Sequence, residues 1–146
     1  MDLIERLSDR AELMDLKARY FRYVDSQDWD AFPGLFAEDA SFSAPDDFDG
    51  VQMAGREAIV ENIRQALHDV VSIHHGFTPE FWFASDSVAS GIWVMEDFLW
   101  AGEQSILPVS HIHGRGHYHE EYIRSATGWQ FKSIELRRVR VDIQPR

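Results

Sequence analysis

Cysteine is absent from the 146-residue chain, which excludes a disulfide framework, a thiolate zinc site and a cysteine nucleophile. No apolar run approaches the length of a membrane span. The opening M-D-L-I-E-R-L lacks the apolar core of a secretion signal. Basic residues are scarce: 14 Lys and Arg stand against 25 Asp and Glu, a net charge of −11. The one basic stretch is R-R-V-R, residues 137–140. This balance argues against nucleic acid or an anionic membrane as the main partner. Arg137, Arg138 and Arg140 read instead as part of a last strand with one wet face. No nucleotide-binding or nucleophile motif is present, and a reducing cytoplasm, which fits these absences, is the expected location.

What the chain does have is apolar bulk. Hydrophobic residues make up 45% and aromatic residues 13%, enough for one domain over 1–146 with a core and a ligand cavity. Asp9 followed by Glu12 reads as a capping-box start. Leu13, Leu16, Tyr20, Tyr23 and Val24 then recur at helical spacing, predicting a helix over 9–26. Asp28 can cap a short second helix, which Pro33-Gly34 should distort. Residues 40–43 predict a short strand, and the acidic, turn-rich residues 45–54 a flap. Ile59, Ile63, Leu67 and Val70 mark a third helix over 56–69. Strands are predicted over 71–84, 88–99, 109–125 and 129–143. The result is an α+β domain, three N-terminal helices packed on a curved antiparallel sheet that encloses a pocket.

Four residues suit proton transfer at carbon: Tyr20, Asp25, His74 and Asp97. Asp25 falls near a predicted helix C-terminus, where a carboxylate needs a partner, and an imidazole N–H can serve. Tyr20 lies about 140° around the helix from Asp25, so the two can approach one cavity from adjacent sides. His74 and His75 must point to opposite sheet faces, and alternation alone does not choose between them. On the strand G-I-W-V-M-E-D, Trp93, Met95 and Asp97 share a face and Glu96 takes the other. An Asp97 among apolar groups would have a raised pKa, suiting it to donate or relay a proton. His111, His113, His117 and His119 share one strand parity, a spacing that can ligate zinc or iron. The glutamate that follows H-x-H in a cupin-type metal site is missing, so no metal is expected. His113 and His117 are instead placed with Trp93, Met95 and Phe42 as substrate-lining candidates.

Four stretches taken in order resemble the SnoaL-like branch of the NTF2-like superfamily. They are Y-F-R-Y-V-D-S-Q-D-W-D-A-F-P-G-L-F-A-E-D-A (20–40), G-R-E-A-I (55–59), I-H-H-G (73–76) and G-I-W-V-M-E-D (91–97). The resemblance implies a cone-shaped domain with a pocket between helices and sheet. Within the branch, the chain is most similar to bile acid 7α-dehydratase, scytalone dehydratase and lindane dehydrochlorinase, which are cofactor-free lyases. It implies His74 as general base oriented by Asp25, Tyr20 as donor to the substrate, and Asp97 as auxiliary. The implied substrate is an apolar cyclic, polyketide-like or steroid-like molecule, and self-association as a homodimer or homotrimer is expected. Two alternatives are an isomerase or polyketide cyclase with a carboxylate base, and a non-catalytic binding or assembly domain.

Overall fold

The computed structural model describes residues 2–146. Helix α1 runs Leu3–Ser26 and starts well before the predicted Asp9. Its capping box is Asp2 with Glu5: the Asp2 carboxylate accepts from Glu5 N at 2.8 Å, and the Glu5 side chain accepts from Asp2 N at 3.1 Å. Asp9 lies inside the helix, buried, where Trp129 Nε1 donates to it at 3.1 Å and Arg124 pairs with it.

The predicted second helix is a 3₁₀ turn, Phe32–Leu35. Asp28 accepts from Ala31 N at 3.2 Å in the turn before it, and the 3₁₀ turn itself, with Ala31 at its start, has no side-chain cap. Pro33 falls in the first positions of this turn, where its missing N–H costs nothing, and the backbone is already extended at Phe36. Helix α2, Arg56–Ala66, ends short of the predicted residue 69. Asp69 adopts a positive φ of 55° and turns the chain into the sheet. Among the described residues there are thus two helices and a 3₁₀ turn rather than three helices.

Six strands follow: β1 Phe36–Ala44, β2 Val51–Ala54, β3 Val70–Phe83, β4 Val88–Ala101, β5 Val109–Ser125 and β6 Gly128–Pro145. Their order is β2-β1-β6-β5-β4-β3. The sheet is mixed rather than wholly antiparallel, because β1 and β6 run parallel. The predicted flap is in part strand β2, which pairs with β1 from Ser41↔Ala54 to Ala44↔Val51.

Alternation decides what faces the helices. On β4 the odd residues Ala89 to Asp97 are buried, and on β5 the even residues Ile112 to Tyr122 are. Strand β6 breaks the rule twice. Its register to β5 shifts at Glu121/Tyr122 and again at Arg115/Gly116, which leaves Lys132 and Val139 as extra residues. These bulges keep Phe131, Ile134 and Leu136 in the core. They also turn Arg138 inward, while Arg137 and Arg140 stay on the outer face. Helix α1 lays Leu13, Leu16, Tyr20 and Val24 onto this inner face. Each such fully buried side chain contributes roughly 1.5–3 kcal/mol.

Candidate active site

Where the helices leave the inner face uncovered, a cavity of about 410 Å³ remains. Its walls are largely apolar, among them Phe42, Met53, Leu67, Leu99 and Leu136, and the exposed Phe48 and Ile106 stand at its rim. Polar groups converge on it from two directions.

The first direction is the end of α1. Asp25 sits one residue before the last of the helix, and Gln27 closes that end in the left-handed conformation. The helix dipole there disfavours a carboxylate, and three donors from β3 offset it. Ser72 Oγ donates to Asp25 Oδ1 at 2.9 Å, His74 N donates to Oδ2 at 2.9 Å, and His74 Nδ1 meets Oδ1 at 2.7 Å. An Nδ1–H donated to Asp25 leaves the lone pair on Nε2. The His74 ring lines the cavity, with Asp25 behind it. His75 projects to the opposite, exposed face. Gly76 lets Phe21 close over this strand, since a Cβ there would strike its ring. Phe21 in turn stacks on His74, ring centroids 6.4 Å apart.

The second direction is the strand floor. Asp97 is 3% exposed, and both its oxygens are taken by Arg138: Nη1 donates to Oδ1 at 2.6 Å and Nη2 to Oδ2 at 3.0 Å. Arg138 also reaches the loop between β1 and β2, where Nε and Nη2 donate to Asp47 at 2.8 and 3.2 Å. Its backbone N–H donates to Asp46 at 2.9 Å. Burial pulls the guanidinium pKa down, but the hydrogen bonds to Asp47 and Asp97 outweigh it and hold it above its ordinary value. Gly114 makes the pair possible, since a Cβ there would collide with Arg138 Nη1 and Asp97 Oδ1. The proton-relay role expected for Asp97 meets a competitor in this geometry, because both its oxygens already accept from Arg138.

Between the two ends stand Tyr20 and Tyr118, both buried and both lining the cavity. No hydrogen bond from a described residue reaches either hydroxyl. Burial first, and then the negative charge of Glu120, Asp97 and Asp25, pushes the Tyr20 pKa far up, so the phenol stays a donor. Burial, then Tyr20 and Asp97, raises Tyr118 likewise. Beneath them the fully buried Lys17 ammonium lies 3.6 Å from the Tyr118 ring centroid and 4.0 Å from that of Tyr20, and pairs with Glu120 at 2.5 Å. Tyr122 donates to Glu120 at 2.7 Å and accepts from Trp93 Nε1 at 3.1 Å.

The structure therefore brings Tyr20, His74, Asp97 and Phe42 to the cavity, with Asp25 behind His74. Trp93 lies on the inner face but is spent in the core, and Met95 packs against Arg138, its Sδ 3.9 Å from Nη1. Neither lines the cavity. His113 and His117 are on the opposite face of β5, and their expected place in the pocket is corrected: the even residues of that strand turn inward. His113 instead stacks on Phe98 with centroids 4.1 Å apart and meets Glu96 at 3.0 Å. Among the described residues no His, Asp and Glu group is arranged to hold a metal ion. Asp47, Ser72 and Tyr118 do not stand out in the sequence, and Arg138 stands there only among the arginines of a last strand with one wet face. Ser72 shares parity with His74, and Tyr118 shares parity with the glycines of G-R-G.

This geometry can be set beside known proteins. A hexachlorocyclohexane dehydrochlorinase, LinA type 2, superposes with a TM-score of 0.83 at 19% identity, over 97% of this chain and 93% of that one. A candidate scytalone dehydratase from Novosphingobium aromaticivorans gives 0.82 at 18% identity, over 99% and 97%. LinA type 3 from Novosphingobium barchaimii gives 0.81 at 19% identity, over 97% and 94%. At these identities the likeness is one of fold. The family model described as SnoaL-like domain matches residues 5–135, and with nine-tenths of its length so accounted for, the chain belongs to the SnoaL-like family.

Proposed function

We propose that the protein is a cofactor-independent lyase that removes a carbon-bound proton and a leaving group from an apolar cyclic molecule. The observation that carries this reading is the 2.7 Å contact between Asp25 and the Nδ1 of a histidine whose ring lines an apolar cavity. His74 Nε2 takes the proton. Asp25 holds the productive tautomer and stabilises the imidazolium as it forms. Tyr20, assisted by Tyr118, donates to the substrate carbonyl or to the departing group, so that charge developing there meets a fixed donor. Arg138 and Asp97 hold the far wall. The dehydrochlorinase and dehydratase names among the structural neighbours support an elimination.

An isomerase or cyclase with a carboxylate base would need a carboxylate with a free oxygen at the cavity wall. Asp97 meets that need poorly, since both its oxygens already accept from Arg138. The test is a mass-spectrometric screen of neutral cyclic alcohols, hydroxyketones and halides for loss of water or acid. Wild type should convert a subset and His74→Gln should not. Substantial conversion by His74→Gln would overturn the dyad.

A further inference from the structure

An arginine in a ligand cavity usually marks a place for an anion, because the guanidinium fork matches a carboxylate or phosphate. Arg138 is different. Of its five N–H groups, Nε is given to Asp47, one on Nη1 to Asp97, and Nη2 is shared between Asp47 and Asp97. The remaining Nη1 hydrogen has Met95 Sδ 3.9 Å from its nitrogen. No bidentate edge is left. The charges around the cavity lean the other way: Asp47 and Asp97 line it and Asp25 stands behind His74, three carboxylates against one guanidinium. The whole chain is at −11, so the surrounding potential also opposes an approaching anion.

The two carboxylates differ in how they are placed. Asp97 is fixed on β4, held between β3 and β5. Asp47 belongs to the turn between β1 and β2, beside the half-exposed Phe48, and its carboxylate is 22% exposed. An anionic ligand would gain the arginine only by displacing Asp47 and the turn that carries it.

We propose that Asp47 is a specificity-determining residue: by occupying Arg138 it makes the cavity select neutral ring systems and reject anionic ones of the same shape. The inference rests on reading this cavity as the substrate site and deepens it by naming the charge class of the substrate. A cavity of about 410 Å³ has room for a skeleton of about two to four rings.

Naphthamide and naphthoate, alike in shape and different in charge, are the probes, measured by calorimetry at neutral pH. Wild type should bind naphthamide at least about tenfold more tightly than naphthoate, like charge opposing the latter. Asp47→Asn should bring the two within about threefold or invert them, and Asp47→Glu should keep the discrimination. Asp47→Ser repeats the test should the asparagine variant misfold. His74→Gln should also keep it, so charge selection and proton abstraction report separately. The proposal is overturned if wild type binds naphthoate as tightly as naphthamide or fails to bind naphthamide. It is equally overturned if the ratio is unmoved in a folded Asp47→Asn or Asp47→Ser variant.

Discussion

The two ends of the cavity each present an aspartate, and they differ in what the aspartate holds. Asp25 holds an imidazole by one ring nitrogen, and the other nitrogen is left to meet a substrate proton. Asp97 holds a guanidinium, which stays charged throughout. One arrangement can accept a proton; the other fixes β4 to β6 and, through Asp47, to the loop at the rim. The role of a buried carboxylate therefore follows from its partner, and burial alone does not reveal it. The ends should accordingly fail in different ways when cut.

The largest effect is expected at the imidazole. His74→Gln and Asp25→Asn should each lower kcat on an identified substrate about 10²–10⁴-fold. The double variant should be little worse than either, because the two groups act as a unit. At the guanidinium the loss should be one of stability. Arg138→Leu leaves Asp97 buried and unpaired and should cost about 3–5 kcal/mol in urea unfolding. Gly114→Ala drives a methyl into the same pair and should cost about 1–3 kcal/mol by the same measurement.

Between the two ends the tyrosines give an alkaline signature. Tyr20 and Tyr118 have raised pKa values in the fold, so above about pH 10 the unfolded chain loses phenolic protons first and stability must fall as pH rises. Lys17, whose pKa burial lowers against the opposing pull of Glu120, works in the opposite sense only below the ordinary lysine pKa of about 10.4. Tyrosinate absorbance should therefore rise together with the loss of helical circular dichroism. The smallest effect belongs to the outer face. His113→Ala and His117→Ala should leave turnover unchanged and shift stability by about 0.5 kcal/mol or less.

Much of this contrast can be read from residue order, and the unread part has definite causes. Periodicity located α1, α2 and the four long strands, and placed Asp97 with Trp93 and Met95 on one face. It did not separate lining from core, because Trp93 and Met95 share parity with Asp97 but lie where α1 and β6 close the inside. Four histidines of one parity drew attention to the odd side of β5, while the glycines and tyrosines of the even side carry the inner wall. Arg138 was hidden by two bulges. Without them, parity groups Arg138 with Arg140, whereas the extra Val139 sets Arg137 and Arg140 on one face and Arg138 on the other. The short second helix is a single 3₁₀ turn around Pro33-Gly34, the pair from which the sequence already predicts a distortion.

The most direct test of the central claim is the protonation of His74 seen by nitrogen NMR near neutral pH. The account predicts the Nδ1–H tautomer with a strongly deshielded proton shared with Asp25, and a bare Nε2 that is lost as a distinct signal pattern in Asp25→Asn. An Nε2–H tautomer, or a ring unaffected by Asp25→Asn, would contradict it.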